Sequence, residues 1–228
     1  MLHRTAPWKI TLTKIMSNPI EDLRNDHSDF TRNTKALTFD NPWDGFHAWF
    51  NEAVHQGELE ANAMVIATVN SEGMPSARVV YLKEIFEESF VFYTNYLSEK
   101  GRDLSLNPKA SLLFFWPGLE RQIRIQGIVH NIDEVISDAY FASRPRESQL
   151  GAWASFQSEH LNSMEEITAR FQEFSAKYPN EVPRPAHWGG MALVPSKFEF
   201  WQGKPSRLHE RLVFEGSSNT WDKFRLNP

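Results

Sequence analysis

A-M-V-I-A-T-V-N-S-E-G-M-P-S-A-R-V-V-Y-L-K, residues 63–83, is the clearest β-hairpin pattern in the chain. Residues 63–70 and 76–83 are rich in β-branched side chains and follow a period of two, which is typical of strands. The polar stretch Ser71-Glu72-Gly73 lies between them and is a turn signal. The stretch therefore predicts two antiparallel strands joined by a short turn.

Similar patterns continue on both sides of this hairpin. Further strands are predicted at 90–95, 110–116, 120–132, 191–194, 197–202, 207–214 and 220–226. Helices are predicted at about 42–56, 98–107, 134–142, 147–156 and 163–178. Strands outnumber helices and most are joined by short turns, so the pattern favours an antiparallel barrel with helices outside over a doubly wound parallel sheet.

The helix at 42–56 is the first firm element of the chain. Asn41 is its expected N-cap, and Pro42 suits the first helical position. Apolar side chains recur at helical spacing and predict one buried face, formed by Trp43, Phe46, Trp49, Phe50 and Val54.

Length and composition exclude several classes of protein. The 228 residues include no cysteine, which rules out disulfides and thiolate chemistry and fits a reducing cytoplasm. No histidine pair has the spacing of a zinc hydrolase, so no metal is predicted. A formal net charge of −5 argues against a nucleic-acid partner, and the apolar runs are too short to span a membrane.

The chain is predicted to contain one domain, residues 42–228, because no repeat or linker divides it. Residues 1–41 are predicted to be a flexible arm. Within it, residues 1–15 contain no acidic residue and lack the apolar centre of a secretory signal. An upstream start codon explains them, with Met16 as the natural beginning.

Basic side chains form local clusters despite the acidic net charge. Arg207, His209 and Arg211 alternate, so a continuous strand would place them on one face. Two cations there lower the pKa of the histidine between them unless an anion is bound. A bound phosphate and a solvated edge strand explain this cluster equally well.

Two more clusters are candidate anion sites. The stretch 144–148, R-P-R-E-S, places two arginines and a serine at the start of a predicted helix, although an ordinary helix start is the plainer explanation when it is taken alone. Arg78 and Lys83 are five residues apart, so an ideal strand directs them to opposite faces, and a shared ligand requires a twist or a bulge. Two phosphate-bearing ligands, one of them a flat cofactor, would account for the separated clusters and the 13% aromatic content.

Six segments, in one order, resemble a known family. They are R-V-V-Y-L-K (78–83), F-Y-T-N (92–95), L-E-R-Q (119–122), F-A-S-R-P-R-E-S-Q-L-G-A-W (141–153), F-W-Q-G (200–203) and R-L-H-E-R (207–211). Together they are similar to the pyridoxine (pyridoxamine) 5′-phosphate oxidase family, from about residue 42 to residue 228. Residues 143–149 and 207–211 are the most specific part of the resemblance.

The resemblance implies a mainly β (α+β) fold with peripheral helices, an antiparallel Greek-key split β-barrel. It implies a homodimer that binds FMN at the subunit interface. It also implies oxidation of pyridoxamine 5′-phosphate or pyridoxine 5′-phosphate to pyridoxal 5′-phosphate, with O2 as the electron acceptor and H2O2 as a product.

Site residues follow from the resemblance, motif by motif. The implied FMN contacts are Arg78, Val79, Val80, Tyr81, Leu82, Lys83, Tyr93, Thr94, Lys100, Gln122, Gln157, Ser158, Trp201 and Arg211. The implied substrate contacts are Lys83, Tyr140, Arg144, Ser148, Arg207, Leu208 and His209, of which Arg207 and His209 are the expected catalytic residues. Glu99 departs from the family, which usually has an arginine there.

Two alternatives to the oxidase remain open. One is another reaction on the same flavin-binding barrel, such as flavin reduction, although the R-L-H-E-R segment argues against it. The other is a non-enzymatic protein that stores FMN or pyridoxal phosphate. Release of H2O2 on addition of pyridoxamine 5′-phosphate distinguishes the oxidase from both.

Overall fold

A computed structural model describes residues 30–217 and 220–228, and these residues form nine strands and five α-helices. The strands are β1 (Ala63–Val69), β2 (Pro75–Tyr81), β3 (Glu84–Phe86), β4 (Ser89–Asn95), β5 (Lys109–Trp116), β6 (Arg121–Asn131), β7 (Trp188–Gln202), β8 (Glu210–Ser217) and β9 (Thr220–Leu226). The helices are α1 (Pro42–His55), α2 (Glu99–Leu106), α3 (Glu134–Ser143), α4 (Arg146–Ala154) and α5 (Met164–Lys177).

One antiparallel sheet contains all nine strands. Its order is β2-β1-β5-β6-β7-β4-β3, and β8 pairs with β7 and carries β9. The predicted antiparallel, mainly β fold with peripheral helices is confirmed, and the hairpin β1–β2 pairs from Ala63 opposite Tyr81 to Val69 opposite Pro75. This sheet curls into a split barrel because strand β7 belongs to two pairings: its first half pairs with β4 and its second half with β8.

Strand β7 is longer than the sequence predicts. The two predicted strands at 191–194 and 197–202 are one strand of 15 residues, paired with β6 along its length. Pro195 does not end the strand, because a register shift between Gln126 and Gly127 accommodates the extra residue. Gly127 permits this bulge, since a Cβ there would lie 2.1 Å from the carbonyl oxygen of Val194.

Helix α1 closes the main core. Asn41 caps it as predicted, with its Oδ1 accepting a hydrogen bond from the Trp43 N–H at 2.8 Å. Phe46 is completely buried and its ring lies 4.9 Å from that of Phe90 on β4. Trp43, Phe46 and Trp49 of the predicted face are buried and Phe50 is partly buried against the core, but Val54 is 54% exposed because Ala53 takes the buried position at the end of the helix.

Helices α3, α4 and α5 form a second, smaller apolar cluster. Phe141 and Leu150 are buried there together with Val182 and Trp188. Trp188 is also the first residue of β7, so this helical cluster is attached to the sheet at one end of that strand. None of the helices in the described ranges is long and apolar enough to cross a membrane.

Residues 30–41 lie against the sheet. Leu37 is 3% exposed, and its N–H donates to Glu210 Oε1 at 3.0 Å. Arg32 Nη1 donates to the carbonyl oxygen of Gly118 at 2.6 Å. Within the predicted arm, residues 30–41 therefore contact β8 and the turn Pro117–Leu119, although the segment has no periodic signal of its own. Residues 1–29, including the proposed extension 1–15 and start at Met16, lie outside the described residues.

Candidate active site

A cleft of about 610 Å³ opens between strands β2 and β4, the start of α2, and α4. This volume is typical of sites for small ligands and cofactors. Cationic, hydroxyl and aromatic side chains line it together, and most of them belong to the set implied by the resemblance. The lining residues are Arg78, Val79, Val80, Tyr81, Lys83, Tyr93, Thr94, Asn95, Lys100, Arg144, Ser148, Gly151, Ala152, Ser155, Gln157 and Trp188.

Lys100 is the most deeply buried cation of the cleft, with only 6% of the residue exposed. Its Nζ donates to Ser98 Oγ at 3.0 Å and to Gln157 Oε1 at 3.2 Å. Burial, reinforced by the nearby positive charge of Arg78, lowers the pKa of Lys100 to about 8. Two cations held together at a buried position form a site that favours an anion.

The start of helix α2 places Lys100 in the cleft. Ser98 is the N-cap, and its Oγ accepts a hydrogen bond from the Gly101 N–H at 3.4 Å. Gly101 allows the helix to approach the preceding loop closely, since a Cβ would lie 2.1 Å from the carbonyl oxygen of Tyr96. Glu99 lies 3.6 Å from Arg78 Nη2, so the carboxylate that departs from the family pairs with a cation of the cleft rather than with Lys100 or Arg102.

Arg144 forms a separate cationic position in the same cleft. Its guanidinium lies 4.5 Å from the ring centre of Trp188, and its Nη1 is buried without a hydrogen-bond partner in the described part of the chain. Burial lowers the pKa of Arg144 from its ordinary value. A buried guanidinium N–H without a partner is costly, which indicates that this atom is available to a ligand.

Flat rings stack beside Arg144. The rings of Tyr93 and Tyr140 are 3.7 Å apart and within 13° of parallel, and Trp188 lies 5.5 Å from Tyr93 at an angle of 15°. Burial raises the pKa of Tyr93 to about 12, so the phenol stays neutral. The stack forms one rigid aromatic wall.

The end of strand β2 resolves the predicted conflict between Arg78 and Lys83. The strand stops at Tyr81, so Lys83 is not bound by the alternation that governs Arg78, and both side chains line the cleft. Leu82 is the one implied contact of this segment that does not line the cleft. Like Val80 it belongs to the main core, and 7% of the residue is exposed.

A second group of implied site residues lies at the other end of β7. Strand register places Gln122 opposite Trp201 and Trp201 opposite Arg211, so the three residues form one row across β6, β7 and β8. The ring of His209 lies 4.7 Å from that of Trp201, and a cavity of about 430 Å³ is lined by Leu208, His209 and Arg211.

His209 is held in one orientation by the backbone. Its Nδ1 lies 3.2 Å from the Lys204 N–H and accepts its hydrogen bond, which leaves Nε2 to carry the proton of the neutral ring. Burial, followed by the positive charge of Arg207, lowers the pKa of His209. The ring is therefore neutral and available as a hydrogen-bond donor near pH 7.

The predicted strand at 207–214 begins too early. Arg207 belongs to a 3₁₀ turn, Pro205–Arg207, has a φ of 61°, and precedes β8, which starts at Glu210. Strand alternation therefore does not place Arg207 on one face with Arg211. The latter is also not a free cation, because its Nε and Nη2 lie 2.8 and 2.7 Å from Oε1 of the buried Glu199.

The two groups are separated within one chain. Trp188 lines the cleft and Trp201 lies in the second group, and these residues are near opposite ends of strand β7. The 13 steps between them correspond to roughly 40 Å of extended strand at about 3.3 Å per residue. In the described part of the chain, no residue of the second group lines the cleft, and Leu208, His209 and Arg211 line a separate cavity.

Several lining residues were not predicted. Asn95 and Ser155 contribute polar groups, Gly151 and Ala152 contribute a small-residue surface of α4, and Trp188 contributes a ring. Residues 188–190, W-G-G, are the one local signal among them, since two glycines beside a tryptophan indicate a close approach of backbone. Ser158 has a φ of 70° and follows Gln157 at the edge of the cleft.

The single curled antiparallel sheet with peripheral helices defines the class of split-barrel folds. A structure of a pyridoxamine 5′-phosphate oxidase-related, FMN-binding protein from Nostoc punctiforme has the same fold, with a TM-score of 0.66, 17% identity, and coverage of 84% of this chain and 100% of that one. The PhzG structure from Burkholderia lata, solved with tetrahydrophenazine-1-carboxylic acid, has a TM-score of 0.79 and 30% identity, covering 86% of this chain and 100% of that one.

Sequence comparison assigns the chain to one family within that class. Residues 50–178 match the pyridoxamine 5′-phosphate oxidase model, and residues 188–228 match the pyridoxine 5′-phosphate oxidase C-terminal dimerisation region. The pyridoxine/pyridoxamine 5′-phosphate oxidase of Leptospira interrogans is 54% identical over 185 residues, which are 80% of this chain and 86% of the relative. The chain belongs to the pyridoxine/pyridoxamine 5′-phosphate oxidase family of oxidoreductases.

Proposed function

We propose that this protein oxidises pyridoxamine 5′-phosphate or pyridoxine 5′-phosphate to pyridoxal 5′-phosphate, with FMN as cofactor and O2 as the electron acceptor that yields H2O2. The observation that carries the proposal is a cleft with two cationic positions of different surroundings. Arg78 on β2 and Lys100 at the start of α2 form one position, whereas Arg144 beside the aromatic wall forms the other. Two phosphate-bearing ligands, the cofactor and the substrate, match these two positions.

The residues present fit an FMN phosphate. Lys100 is buried beside a second cation, and burial followed by the charge of Arg78 lowers the pKa of Lys100, so a phosphate dianion bound there would stabilise its charged form. Arg78 and Lys100 would hold the phosphate, together with Ser158 at the edge of the cleft. Bound FMN supplies the two-electron acceptor for oxidation of the substrate's 4′ carbon.

Other residues of the chain bind and orient the substrate. Arg144 lies just before α4 and Ser148 in its first turn, and both would hold the substrate's phosphate with Lys83. The wall of Tyr93, Tyr140 and Trp188 excludes water from one side of the cleft. His209 would donate a hydrogen bond from Nε2 to the substrate's ring substituents, and Arg207 would supply positive charge beside it.

Homodimerisation would bring the two groups of residues together. Trp201, Leu208, His209 and Arg211 of the second group lie within residues 188–228, the part that matches a dimerisation region. Gln122 lies outside this part, on β6, but pairs with Trp201. In the proposed dimer, Gln122, Trp201, His209 and Arg211 of one subunit complete the cleft of the other. An isologous two-fold contact produces two such sites per dimer.

Peroxide detection tests this function. The purified protein is incubated with FMN and pyridoxamine 5′-phosphate, and H2O2 is measured with a coupled peroxidase while pyridoxal 5′-phosphate is measured by absorbance. Stoichiometric formation of both products is expected. Flavin reduction by a nicotinamide cofactor without oxidation of the substrate would favour the flavin-reductase alternative, and FMN binding without turnover would favour the storage protein.

The affinity for FMN is expected to fall as the pH rises through 8. Lys100 has a pKa of about 8 in the ligand-free cleft, and only its charged form attracts the phosphate dianion. Between pH 7 and pH 9 the dissociation constant should therefore increase about tenfold.

The same depressed pKa means that the unfolded chain binds more protons above pH 8, so Lys100 should make the apoprotein more stable toward pH 10.

Fluorescence titration of the apoprotein at several pH values measures the pH dependence of the FMN affinity. Lys100→Met is the matched variant, because it keeps the length of the side chain without a titrating group, and its affinity should be weak and nearly independent of pH. An equally steep pH dependence in the variant would contradict the role of Lys100.

Glu99 is expected to weaken FMN binding in the wild-type protein. Its carboxylate lies 3.6 Å from Arg78 Nη2 and is largely exposed, so the pair contributes only about 0.2–1 kcal/mol. Glu99→Gln removes this competitor, and the dissociation constant for FMN should fall severalfold, by an amount that shrinks at high salt. Weaker binding in the variant would show that Glu99 helps to hold Arg78 in place.

A further inference from the structure

Two buried polar residues behind the cleft have no part in the proposed reaction. Thr68 on β1 is 0% exposed, and Asp103 on α2 is 6% exposed. The Thr68 hydroxyl donates to Asp103 Oδ2 at 2.7 Å. Burial of a carboxylate and a hydroxyl is unfavourable unless both are well paired, so their arrangement requires an explanation beyond packing.

The third member of this network is Arg78. Its Nη1 donates to Thr68 Oγ1 at 2.7 Å and to the Ser76 carbonyl oxygen at 3.1 Å, and its Nη2 donates to Ser76 Oγ at 2.7 Å. Asp103 Oδ2 lies 4.0 Å from Nη2, too far for a direct hydrogen bond. The Thr68 hydroxyl therefore links the two charged groups: it donates its proton to the Asp103 carboxylate and accepts a hydrogen bond from the Arg78 guanidinium.

This network restricts the guanidinium to one orientation. Both N–H groups of Nη1 and one of Nη2 are directed to the protein, which leaves Nε–H and the remaining N–H of Nη2 for other partners. The remaining Nη2 position faces Glu99 at 3.6 Å. A long side chain that is already held in place loses less conformational entropy when it binds an anion.

We infer that Thr68 is a positioning residue for the cofactor phosphate: with Asp103 behind it, the Thr68 hydroxyl holds the Arg78 guanidinium in the orientation in which it lines the cleft. The inference rests on the proposed function, because it assumes that Arg78 contacts the FMN phosphate. Thr68 itself does not line the cleft, so its effect passes through Arg78.

Comparison of FMN with riboflavin tests this inference on the full-length apoprotein. The two flavins differ by the phosphate, so the ratio of their dissociation constants isolates the phosphate site. Thr68→Val keeps the shape of the side chain and removes the hydroxyl. We expect FMN binding to weaken about tenfold and riboflavin binding to stay within twofold, whereas a merely structural defect would weaken both alike.

Two further variants complete the design. Thr68→Ser retains the hydroxyl and should keep the wild-type preference for FMN over riboflavin. Asp103→Asn removes the charge behind Thr68 and should reduce that preference, as Thr68→Val does. An unchanged ratio in Thr68→Val, in a protein whose wild type prefers FMN, overturns the inference alone. Equal affinity of the wild type for FMN and riboflavin overturns the proposed phosphate site and the inference together.

Discussion

Replacing Arg144 by alanine is expected to raise the KM for pyridoxamine 5′-phosphate about 100-fold, with little change in FMN affinity. The Nη1 of Arg144 is buried without a partner, so the ligand-free protein already bears the cost of desolvating it. A phosphate that accepts this N–H forms a charge-assisted hydrogen bond worth about 1.5–3 kcal/mol, and a second contact from the same guanidinium makes the pair bidentate. About 2.7 kcal/mol corresponds to the expected factor of 100.

Steady-state kinetics and flavin titration measure the two quantities separately. Arg170→Ala is the matched control, because Arg170 also lies over an aromatic ring, that of Phe156 at 4.4 Å, but does not line the cleft. The control should keep the wild-type KM. Loss of FMN from Arg144→Ala, with an unchanged KM once flavin is added in excess, would assign Arg144 to the cofactor.

Mixing two impaired variants, Arg144→Ala and His209→Ala, is expected to restore about a quarter of the wild-type activity, measured at a substrate concentration well below the raised KM of Arg144→Ala. In the proposed dimer, each site takes Arg144 from one subunit and His209 from the other. A heterodimer of the two variants then has one site with both substitutions and one with neither. Random assortment of two kinds of subunit makes about half of the dimers heterodimers, so about a quarter of all sites are intact.

Co-refolding or co-expression of differently tagged chains produces the mixture. Sequential affinity steps then isolate the heterodimer, which should have about half of the wild-type activity because one of its two sites is intact. Mixing Arg144→Ala with Ser148→Ala is the control, because both residues line the cleft of one subunit and complementation should yield a heterodimer with no intact site. Absence of recovery in the first mixture would show that His209 acts within its own subunit, or outside the site.

The two groups of site residues differ in how far sequence motifs could define them. The segments 78–83, 92–95 and 141–153 belong to the family pattern, and their residues converge on one cleft although they lie on β2, β4 and the approach to α4. Strand periodicity failed at Arg207, since a 3₁₀ turn with a positive φ precedes β8 and breaks the alternation from which the shared face was predicted. The turn is closed locally by the hydrogen bond from the Lys204 N–H to His209 Nδ1, a side-chain contact that strand periodicity does not register.

The amino-acid sequence by itself determined the hairpin at 63–83 and the predominance of antiparallel strands, because both depend on local periodicity. It also determined helix α1, through its Asn41 cap, and the family, through linear motifs. Only the tertiary structure decided the rest. Strand β7 continues through Pro195 because the register shift in its pairing with β6 accommodates an extra residue. Residues 30–41 are held by side chains such as Glu210 on β8. Arg78 is oriented by Thr68 on β1, which is bonded to Asp103 on α2. Each of these depends on contacts between residues distant in sequence, whose partners no local pattern specifies.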